Sequence, residues 1–390
     1  MNDPNGLTYL AQLTPKGKSA IATIAICGPN AWEIMRRVFR PRNKKPLPVE
    51  ANAGNIFLGR LGLGHGDEVV LSFKSAIPLC LEIHPHGGIQ VVSMLLEFLQ
   101  AQGAILCKWQ DFSSLIYPDP LQAMAFNLLN QATTREPSKI LLDQFNGAFR
   151  AWLDAFLIYV CTNDALSAKN HIANISPYSN MGCRLVDPWR VVLAGPTNAG
   201  KSSLMNVLAG YQRSIVSDIP GTTRDVLWLE TAIEGWAVSF ADTAGMRESS
   251  DPLENAGMLM GARAIEIADL VLWIQDCTVD EVPPPLHLRD KKIVRVRNKI
   301  DLESQQERMN NRESIGVSAL AGAGVEELLS KIIGELVHPV PKPLQAVAFH
   351  PLLKSALDKS CDLIDKGRLA EVPELWSCFQ KKIEIRGVNP

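Results

Sequence analysis

The chain opens with short apolar runs that alternate with turn residues between residues 7 and 117. Two of these runs, at 20–26 and 68–73, are bounded by glycine-containing turns, which is typical of β-strands. Residues 31–39 and 89–102 instead carry apolar side chains three and four positions apart and predict helices. This first part therefore predicts a small α+β domain.

The pattern becomes helical between residues 121 and 171, which are nearly free of glycine. Their apolar spacing predicts two helices separated near Pro137. Residues 174–187 are rich in Ser, Asn, Gly and Pro and predict a linker. After the proline-rich residues 338–343, a further helix is expected at 344–366.

Between these helical parts, apolar strand-like runs alternate with helical segments, which favours an α/β fold. Because helical segments flank this part on both sides, we expect it to be inserted into a discontinuous helical domain. The predicted boundaries are 1–118 for the α+β domain, 119–187 with 342–390 for the helical domain, and 188–341 for the α/β domain.

Composition adds limits to this picture. Apolar residues make up 46% and charged residues 21% of the 390 residues, which is ordinary for a globular protein of two or three domains. The net charge of -2 gives no global attraction to nucleic acid, so any RNA contact needs a local basic patch. The 8 cysteines form no C-x-x-C pair, which predicts reduced thiols and neither a disulfide framework nor a zinc site. Without a signal-peptide pattern or a bilayer-spanning apolar run, we expect a cytoplasmic protein.

A glycine-rich loop follows the strand expected at 190–194. Residues 195–202 read G-x-x-x-x-G-K-S and precede a helical segment, as in phosphate-binding loops. Glycines let backbone N–H groups surround phosphates, Lys201 supplies positive charge at the β- and γ-phosphates, and the Ser202 hydroxyl can ligate Mg²⁺. A chance glycine loop is the alternative. The expected contacts are Gly195, Asn198, Ala199, Gly200, Lys201, Ser202 and Ser203, with a catalytic role for Lys201 as well.

A second motif, Asp242-Thr243-Ala244-Gly245, ends the next apolar strand. Asp242 is expected to hold Mg²⁺ through water, and the Gly245 N–H to sense the γ-phosphate. A simple Asp turn at a strand end is the alternative. Between the two motifs, Thr223 is assigned to closing the Mg²⁺ shell when the γ-phosphate is present.

A third motif, Asn298-Lys299-x-Asp301, follows an apolar run at 293–296. A carboxylate at Asp301 can accept both N1–H and N2–H of guanine, whereas adenine would leave it unpaired. Backbone groups of Ser318, Ala319 and Leu320 are expected to complete the base pocket. Three such motifs in this order predict a GTP-binding, GTP-hydrolysing domain.

Two further segments make the prediction more specific. Residues 218–225 read DIPGTTRD and residues 242–257 read DTAGMRESSDPLENAG, and both resemble the MnmE (TrmE) family of tRNA-modification GTPases. Many small GTPases place a water-orienting glutamine where this chain has Met246. The resemblance assigns that task to Glu254, for which a solvated helix carboxylate is the alternative reading.

The resemblance also implies K⁺ as an activating ion. By analogy with the family, Asn198 in the phosphate-binding loop would hold K⁺ together with Ser217, Ile219 and Thr222. The ion would act as a charge stabiliser across a dimer of G domains. A homodimer is therefore expected.

Outside the G domain, residues 13–29, 82–88 and 121–125 also resemble the family. The resemblance implies a folate-binding-like N-terminal domain in which Glu82 contacts a one-carbon donor such as 5-formyl-tetrahydrofolate. Three family features are missing: Ala25 replaces an arginine, a lysine-bearing segment after residue 117 is absent, and the sequence ends without C-x-GK. Cys378 is interpreted as an ordinary helix cysteine.

Two functions remain open on the sequence. One is GTP-driven modification of the tRNA wobble uridine with an MnmG-like flavoprotein partner. Neither a membrane nor DNA is expected as a binding partner. The other is a diverged paralogue that keeps the GTPase switch as a regulatory or ribosome-assembly factor. Folate binding at Glu82 would separate them, because only the first requires it.

Overall fold

The computed structural model describes residues 6–50, 52–210, 228–242, 261–303 and 313–386. The chain divides into two compact units, each built from separate stretches of sequence. The first comprises Met1–Asn127, Phe145–Ala165 and Lys359–Pro390, and the second comprises Leu128–Gln144 and Leu166–Asp358. No helix within the described ranges is long and apolar enough to cross a membrane.

A seven-stranded sheet with the order β3-β4-β5-β6-β2-β1-β7 dominates the first unit, and only β1 and β7 pair in parallel. Alternating apolar residues bury one face of this sheet in a large core that includes residues of the first two helices. The elements are β1 (Tyr9–Gln12), β2 (Ile24–Cys27), α1 (Ala31–Val38), β3 (Arg40–Pro41), β4 (Ile56–Leu61), β5 (Asp67–Ala76), β6 (Leu79–His84), α2 (Ile89–Gln100), β7 (Ile105–Leu106) and α3 (Trp109–Ile116). The predicted α+β domain is thus present, although the sequence analysis missed α3.

The opposite face of the sheet carries a smaller core around Ala25 and Phe112. In that core, Cys27 and Cys80 are register partners on β2 and β6 and are joined as a disulfide, with Cα atoms 4.2 Å apart. The prediction of reduced thiols throughout is therefore wrong for this pair. Spacing along the chain could not reveal it, because the two residues meet only through strand pairing.

Four helices, rather than the predicted two, occupy residues 120–175. They are α4 (Pro120–Leu129), α5 (Arg135–Phe145), α6 (Ala148–Cys161) and α7 (Ala165–Ile175). Pro137 does not separate helices, since it lies in the first turn of α5, where its missing N–H needs no partner. The predicted linker is also partly helical, because α8 (Ser179–Gly182) falls within it.

The second unit contains a six-stranded sheet with the order β13-β12-β11-β8-β10-β9. All neighbouring strands are parallel except β9 and β10, and the central β8 and β11 are almost fully buried. The elements are β8 (Trp189–Ala194), α9 (Lys201–Gly210), β9 (Leu229–Ile233), β10 (Trp236–Asp242), β11 (Leu270–Asp276), β12 (Ile293–Asn298), β13 (Ile315–Gly316) and α10 (Val325–Leu336). Residues 261–267 are helical as well. The predicted α/β domain is confirmed.

Two helices follow, α11 (Pro351–Asp365) and α12 (Val372–Arg386). The helix expected at 344–366 starts late because residues 346–349 form a buried non-helical segment. The Gln144 side chain forms hydrogen bonds with the backbone of this non-helical segment. Its amide N–H donates to the Gln345 carbonyl at 3.0 Å, and its amide oxygen accepts the Val347 N–H at 3.2 Å. In the first unit, the rings of Phe149 and Trp376 lie 6.2 Å apart. Segments before and after the α/β domain therefore meet.

Candidate nucleotide site

The predicted motif residues converge at the carboxyl edge of the six-stranded sheet. Parallel strands β8, β10, β11 and β12 all end there, and the last residues of the latter three are Asp242, Asp276 and Asn298. Polar groups that are far apart in sequence are thereby brought to one crevice, as is usual for ligand sites in open parallel sheets.

The loop after β8 depends on two glycines. Gly195 has φ +146°, and a Cβ there would collide with the Ile274 carbonyl of β11. Gly200 has φ +85°, and its Cβ would collide with the Asn298 side-chain amide. Asn198, between them, is exposed and adopts a left-handed conformation with φ +61°, which asparagine tolerates better than most residues.

Lys201 opens α9 and is buried within this loop. Its ammonium group donates hydrogen bonds to the carbonyls of Gly195 at 3.1 Å and Pro196 at 2.6 Å. A helix N-terminus with inward backbone N–H groups and a lysine attracts phosphate. The position of Lys201 suits its predicted contact with the β- and γ-phosphates.

Ser202 and Asp242 are brought together across the sheet edge. The Ser202 Oγ donates to Asp242 Oδ2 at 2.7 Å, although 40 positions separate the two residues. A hydroxyl and a carboxylate are the oxygen ligands that Mg²⁺ prefers. The pair therefore fits the predicted metal, and neighbouring Ser203 lies exposed on the same helix.

Asn298 connects the phosphate side of the site to the base side. Its side chain, only 1% exposed, donates from Nδ2 to the Ala199 carbonyl at 2.9 Å. Its Oδ1 accepts N–H bonds from Lys299 at 2.8 Å and from Ala319 at 3.1 Å. One side chain thus positions three of the predicted loops.

We expect Asn298→Ala to destabilise the G domain by about 2–4 kcal/mol, because the buried carbonyl of Ala199 and the partly buried N–H of Ala319 would lose their partner. Urea unfolding measures this change, and GTP affinity should fall with it. The exposed Asn52, changed to Ala, is the control and should leave both quantities unchanged. Equal stability of the Asn298→Ala protein and the wild type would contradict this role.

On the base side, Asp301 accepts a hydrogen bond from Ser318 Oγ at 2.5 Å. Ser318 is buried, and its Oγ also accepts the N–H of Ala321 at 3.0 Å, which shapes the following loop. The Leu320 side chain is 91% exposed in the same loop. These contacts fix the Asp301 carboxylate beside the loop that was predicted to surround the base.

Sequence reasoning missed two supports of this region. Asp276, at the end of β11, pairs with the Lys299 ammonium at 2.6 Å, and Lys299 has a left-handed backbone with φ +66°. Arg297 pairs with Glu303 and donates to Ser314 Oγ at 2.8 Å, which ties together the two ends of the segment after Asp301. An acid at a strand end could have indicated Asp276, whereas no local pattern marks the Arg297–Glu303 pair.

The Asp276–Lys299 pair predicts a dependence of stability on pH. Burial raises the pKa of Asp276, but hydrogen bonds from Lys299 and Thr278 and the Lys299 charge outweigh it and lower the pKa. A lowered folded-state pKa gives stability above the unfolded value of about 3.9, and this stability is lost as pH falls through the folded value. We expect Asp276→Asn to lose up to about 1 kcal/mol at neutral pH, since Lys299 is partly exposed. The difference from wild type should vanish at low pH in urea unfolding, whereas a constant difference would contradict the assignment.

Comparison with known proteins decides the family. Residues 8–115 match the family described as "GTP-binding protein TrmE N-terminus", and residues 190–312 match "50S ribosome-binding GTPase". The tRNA modification GTPase MnmE of Nitratidesulfovibrio vulgaris is 32% identical over 409 residues, which cover 92% of this chain and 88% of that protein. The chain belongs to the MnmE family.

A second relative agrees with this family. The tRNA modification GTPase MnmE of Thermotoga maritima is 30% identical over 371 residues, covering 84% of this chain and 82% of that protein. Among solved structures, a single-residue variant of Aquifex aeolicus Era bound to GDP.AlF4- is 28% identical, with a TM-score of 0.31 over 40% of this chain and 59% of that chain. As a member of the MnmE family with a matching GTPase domain, the protein is a GTP hydrolase that uses GTP and Mg²⁺.

Several residues assigned to nucleotide binding, K⁺ binding or hydrolysis, some from the motifs and some from the MnmE resemblance, lie outside the described residues. They are Ser217, Ile219, Thr222, Thr223, Thr243, Ala244, Gly245 and Glu254. Their roles stay predictions.

Glu82, the residue assigned to folate by the MnmE resemblance, lies on β6 in the first unit. Its Oε2 is 3.2 Å from the Lys74 ammonium and 3.5 Å from His84 Nε2, and Ala25 is its register partner on β2. His84 Nδ1 in turn lies 3.2 Å from Thr23 Oγ1. Glu82 therefore has a positive charge beside it from Lys74 on β5. The MnmE resemblance would instead place an arginine at the position of Ala25 on β2.

Proposed function

We propose that this GTPase acts in modification of the wobble uridine of tRNA. The observation that carries the proposal is the identity of 32% to a tRNA modification GTPase across 92% of the chain, including both the N-terminal domain and the G domain. In this scheme, GTP hydrolysis drives a step of the modification.

Complementation of an MnmE-deficient strain tests the proposal, with modified wobble uridine as the readout. We expect the wild type to restore the modification and Lys201→Ala to fail. Unmodified uridine in a strain whose purified protein hydrolyses GTP would overturn the proposal in favour of the regulatory or ribosome-assembly function. The expression level of each variant, measured in parallel, excludes loss of protein as the cause.

The described residues support a division of labour at the nucleotide. The N-terminus of α9 and Lys201 bind and orient the phosphates, while Asp301 selects guanine. Ser202 and Asp242, with Thr223, would hold Mg²⁺, which neutralises charge on the phosphates when bound. Glu254 is proposed to orient the attacking water, because Met246 cannot do so.

We further propose that K⁺ stimulates hydrolysis at Asn198, together with Ser217, Ile219 and Thr222. The exposed side chain and left-handed backbone of Asn198 leave its amide oxygen available at the phosphate-binding loop. Replacing Na⁺ by K⁺ should raise the hydrolysis rate of the wild type. Asn198→Gly is the matched variant, since glycine keeps the positive φ but removes the oxygen. It should lose the stimulation while retaining nucleotide affinity, and equal wild-type rates in both salts would refute the K⁺ site.

For the N-terminal domain, we propose a folate-type one-carbon donor at Glu82. Lys74 supplies a positive charge beside this carboxylate, although Ala25 offers none. Wild-type protein should bind 5-formyl-tetrahydrofolate more tightly than Glu82→Ala in calorimetry. Equal binding by the two proteins would remove this support and favour the regulatory function.

We also propose that the G domain is inserted into one discontinuous helical domain. We propose in addition that two copies of the protein form a homodimer, and that this homodimer binds an MnmG-like flavoprotein. The Gln144–Gln345 and Phe149–Trp376 contacts support the insertion, since each joins segments on opposite sides of the G domain. Analytical ultracentrifugation of the protein, alone and with the flavoprotein, tests both assemblies. A monomer at all concentrations would exclude the homodimer.

A further inference from the structure

A concentration of positive charge lies along one edge of the seven-stranded sheet. Residues 36–45 contain six arginines and lysines and no acidic residue, although the whole chain has a net charge of -2. This run includes β3, which is the terminal strand of the sheet order, and the segment that follows it. We call the exposed residues Arg40, Arg42, Lys44, Lys45 and Arg60 the basic edge.

The strand register places like charges against each other in the basic edge. Arg40 on β3 is the direct partner of Arg60 on β4, and like charges in directly opposed positions destabilise a sheet. Glu68 on β5 is the register partner of Arg60 and also lies 3.6 Å from Arg42. Glu68 is thus shared by Arg60 and Arg42, so the positive charge of the three guanidinium groups exceeds the negative charge of this one carboxylate.

Backbone carbonyls hold two of these guanidinium groups in place. Arg40 donates to the Gly64 carbonyl at 2.8 Å, and Arg60 donates to the His65 carbonyl at 3.4 Å. Both acceptors belong to the turn between β4 and β5. These bonds restrain the side chains but leave their net charge intact, which favours binding of an external anion.

Lys44 and Lys45 extend the basic edge beyond β3. Both are exposed, and no carboxylate among the described residues lies within ion-pair distance of either ammonium group. Lys44 has a left-handed backbone with φ +59°, and the N–H of Lys45 donates to Asn43 Oδ1 at 3.0 Å. The turn is therefore locally defined, and its two charges are open to solvent.

The charge pattern favours a polyanion over a protein partner. Arginine is common in protein interfaces but lysine is depleted from them, whereas exposed clusters that contain both are the usual means of binding nucleic-acid phosphates. Ile56 and Leu58 are also exposed on β4 and could suit a protein, so a protein surface is the competing outcome. Among the described residues, Glu68 is the one carboxylate that forms an ion pair with these five cations, and this excess of positive charge favours the polyanion.

We propose that the basic edge binds the phosphate backbone of a structured RNA. This proposal rests on the proposed function only for the choice of tRNA as the RNA. Because the chain has a net negative charge, an RNA contact requires a local basic patch. This proposal places that patch in the N-terminal domain.

A paired lysine substitution tests the proposal in the full-length protein. The Lys44→Gln, Lys45→Gln double variant should bind unmodified tRNA about 10-fold more weakly in fluorescence anisotropy at moderate salt. The slope of log affinity against log salt should decrease by about 2, one for each lost phosphate contact. Lys359→Gln, Lys366→Gln is the matched control, because both lysines are exposed and lie near Asp358, Asp362 and Asp365. It should bind like the wild type.

Unchanged affinity and slope in the double variant, or no tRNA binding by the wild type, would overturn the proposal. So would a loss of flavoprotein binding with tRNA binding retained, since the basic edge would then be a protein surface. The uridine modification assay separates this inference from the proposed function. Reduced RNA binding by the variant, with no modification by the wild type, would sustain the basic edge and refute the function. Normal modification by the wild type, with unaltered RNA binding by the variant, would support the proposed function and refute RNA binding at the basic edge.

Discussion

Replacing Lys201 by alanine is expected to weaken GTP binding roughly 100- to 1000-fold, or by about 3–4 kcal/mol. Lys201 is buried in the phosphate-binding loop, where its ammonium bridges the carbonyls of Gly195 and Pro196. Its removal deprives the phosphates of a desolvated positive charge that water cannot replace. Titration with a fluorescent GTP analogue measures the effect.

Lys291→Ala is the matched control for this substitution. The Lys291 ammonium also donates to two backbone carbonyls, those of Glu266 and Ala268, but it does not belong to the nucleotide motifs. If loss of such carbonyl contacts were sufficient to weaken binding, both variants would lose affinity. Unchanged affinity of Lys201→Ala would contradict the assignment of the phosphate-binding loop.

Asp301→Asn is expected to weaken GTP binding at least about 100-fold, because an amide N–H₂ would face the guanine donors. The same variant should gain affinity for xanthosine triphosphate, whose base carries an oxygen where guanine carries its amino group. Competition binding with the two nucleotides measures the exchange. Since Ser318 Oγ donates to Asp301, the Asn side-chain oxygen can still accept that hydrogen bond, which limits structural damage.

The gain for xanthosine triphosphate distinguishes altered recognition from misfolding. A variant that loses both nucleotides equally would show damage to the fold instead of a change of specificity. Asp290→Asn, at an exposed aspartate outside the motifs, is the control and should bind GTP normally. Retention of full GTP affinity by Asp301→Asn would refute the base contact.

Local patterns were sufficient for the α/β domain but not for the helices around it. Strands β8, β10 and β12 were expected because short apolar runs lead directly into the motif residues. The number of helices between residues 120 and 175 was misjudged, because Pro137 is acceptable in a first helical turn. Residues 346–349 were assigned to a helix, because no local pattern shows that the distant Gln144 side chain forms hydrogen bonds with the backbone of Gln345 and Val347.

The motif residues were predictable for a similar reason. Phosphate and guanine recognition demand particular chemical groups at short, fixed spacings, so Lys201, Ser202 and Asp301 are recognisable without a structure. The groups that position these motif residues are distant in sequence and come close only in the folded chain. The Asn298 link to Ala319 and the Asp276–Lys299 pair arise from strand ends that meet only in the folded sheet.

The α/β domain and its nucleotide motifs are recognisable from the amino-acid sequence, because they follow from periodicity and local spacing, and the resemblance to the MnmE family rests on segments such as residues 218–225 and 242–257. Three features emerge only in the folded chain: the Cys27–Cys80 disulfide, the Lys74 charge beside Glu82 and the opposition of Arg40 and Arg60. Each of these depends on strand register. Register is a long-range property, fixed when alternating side chains pack into a common core, and no local pattern contains it.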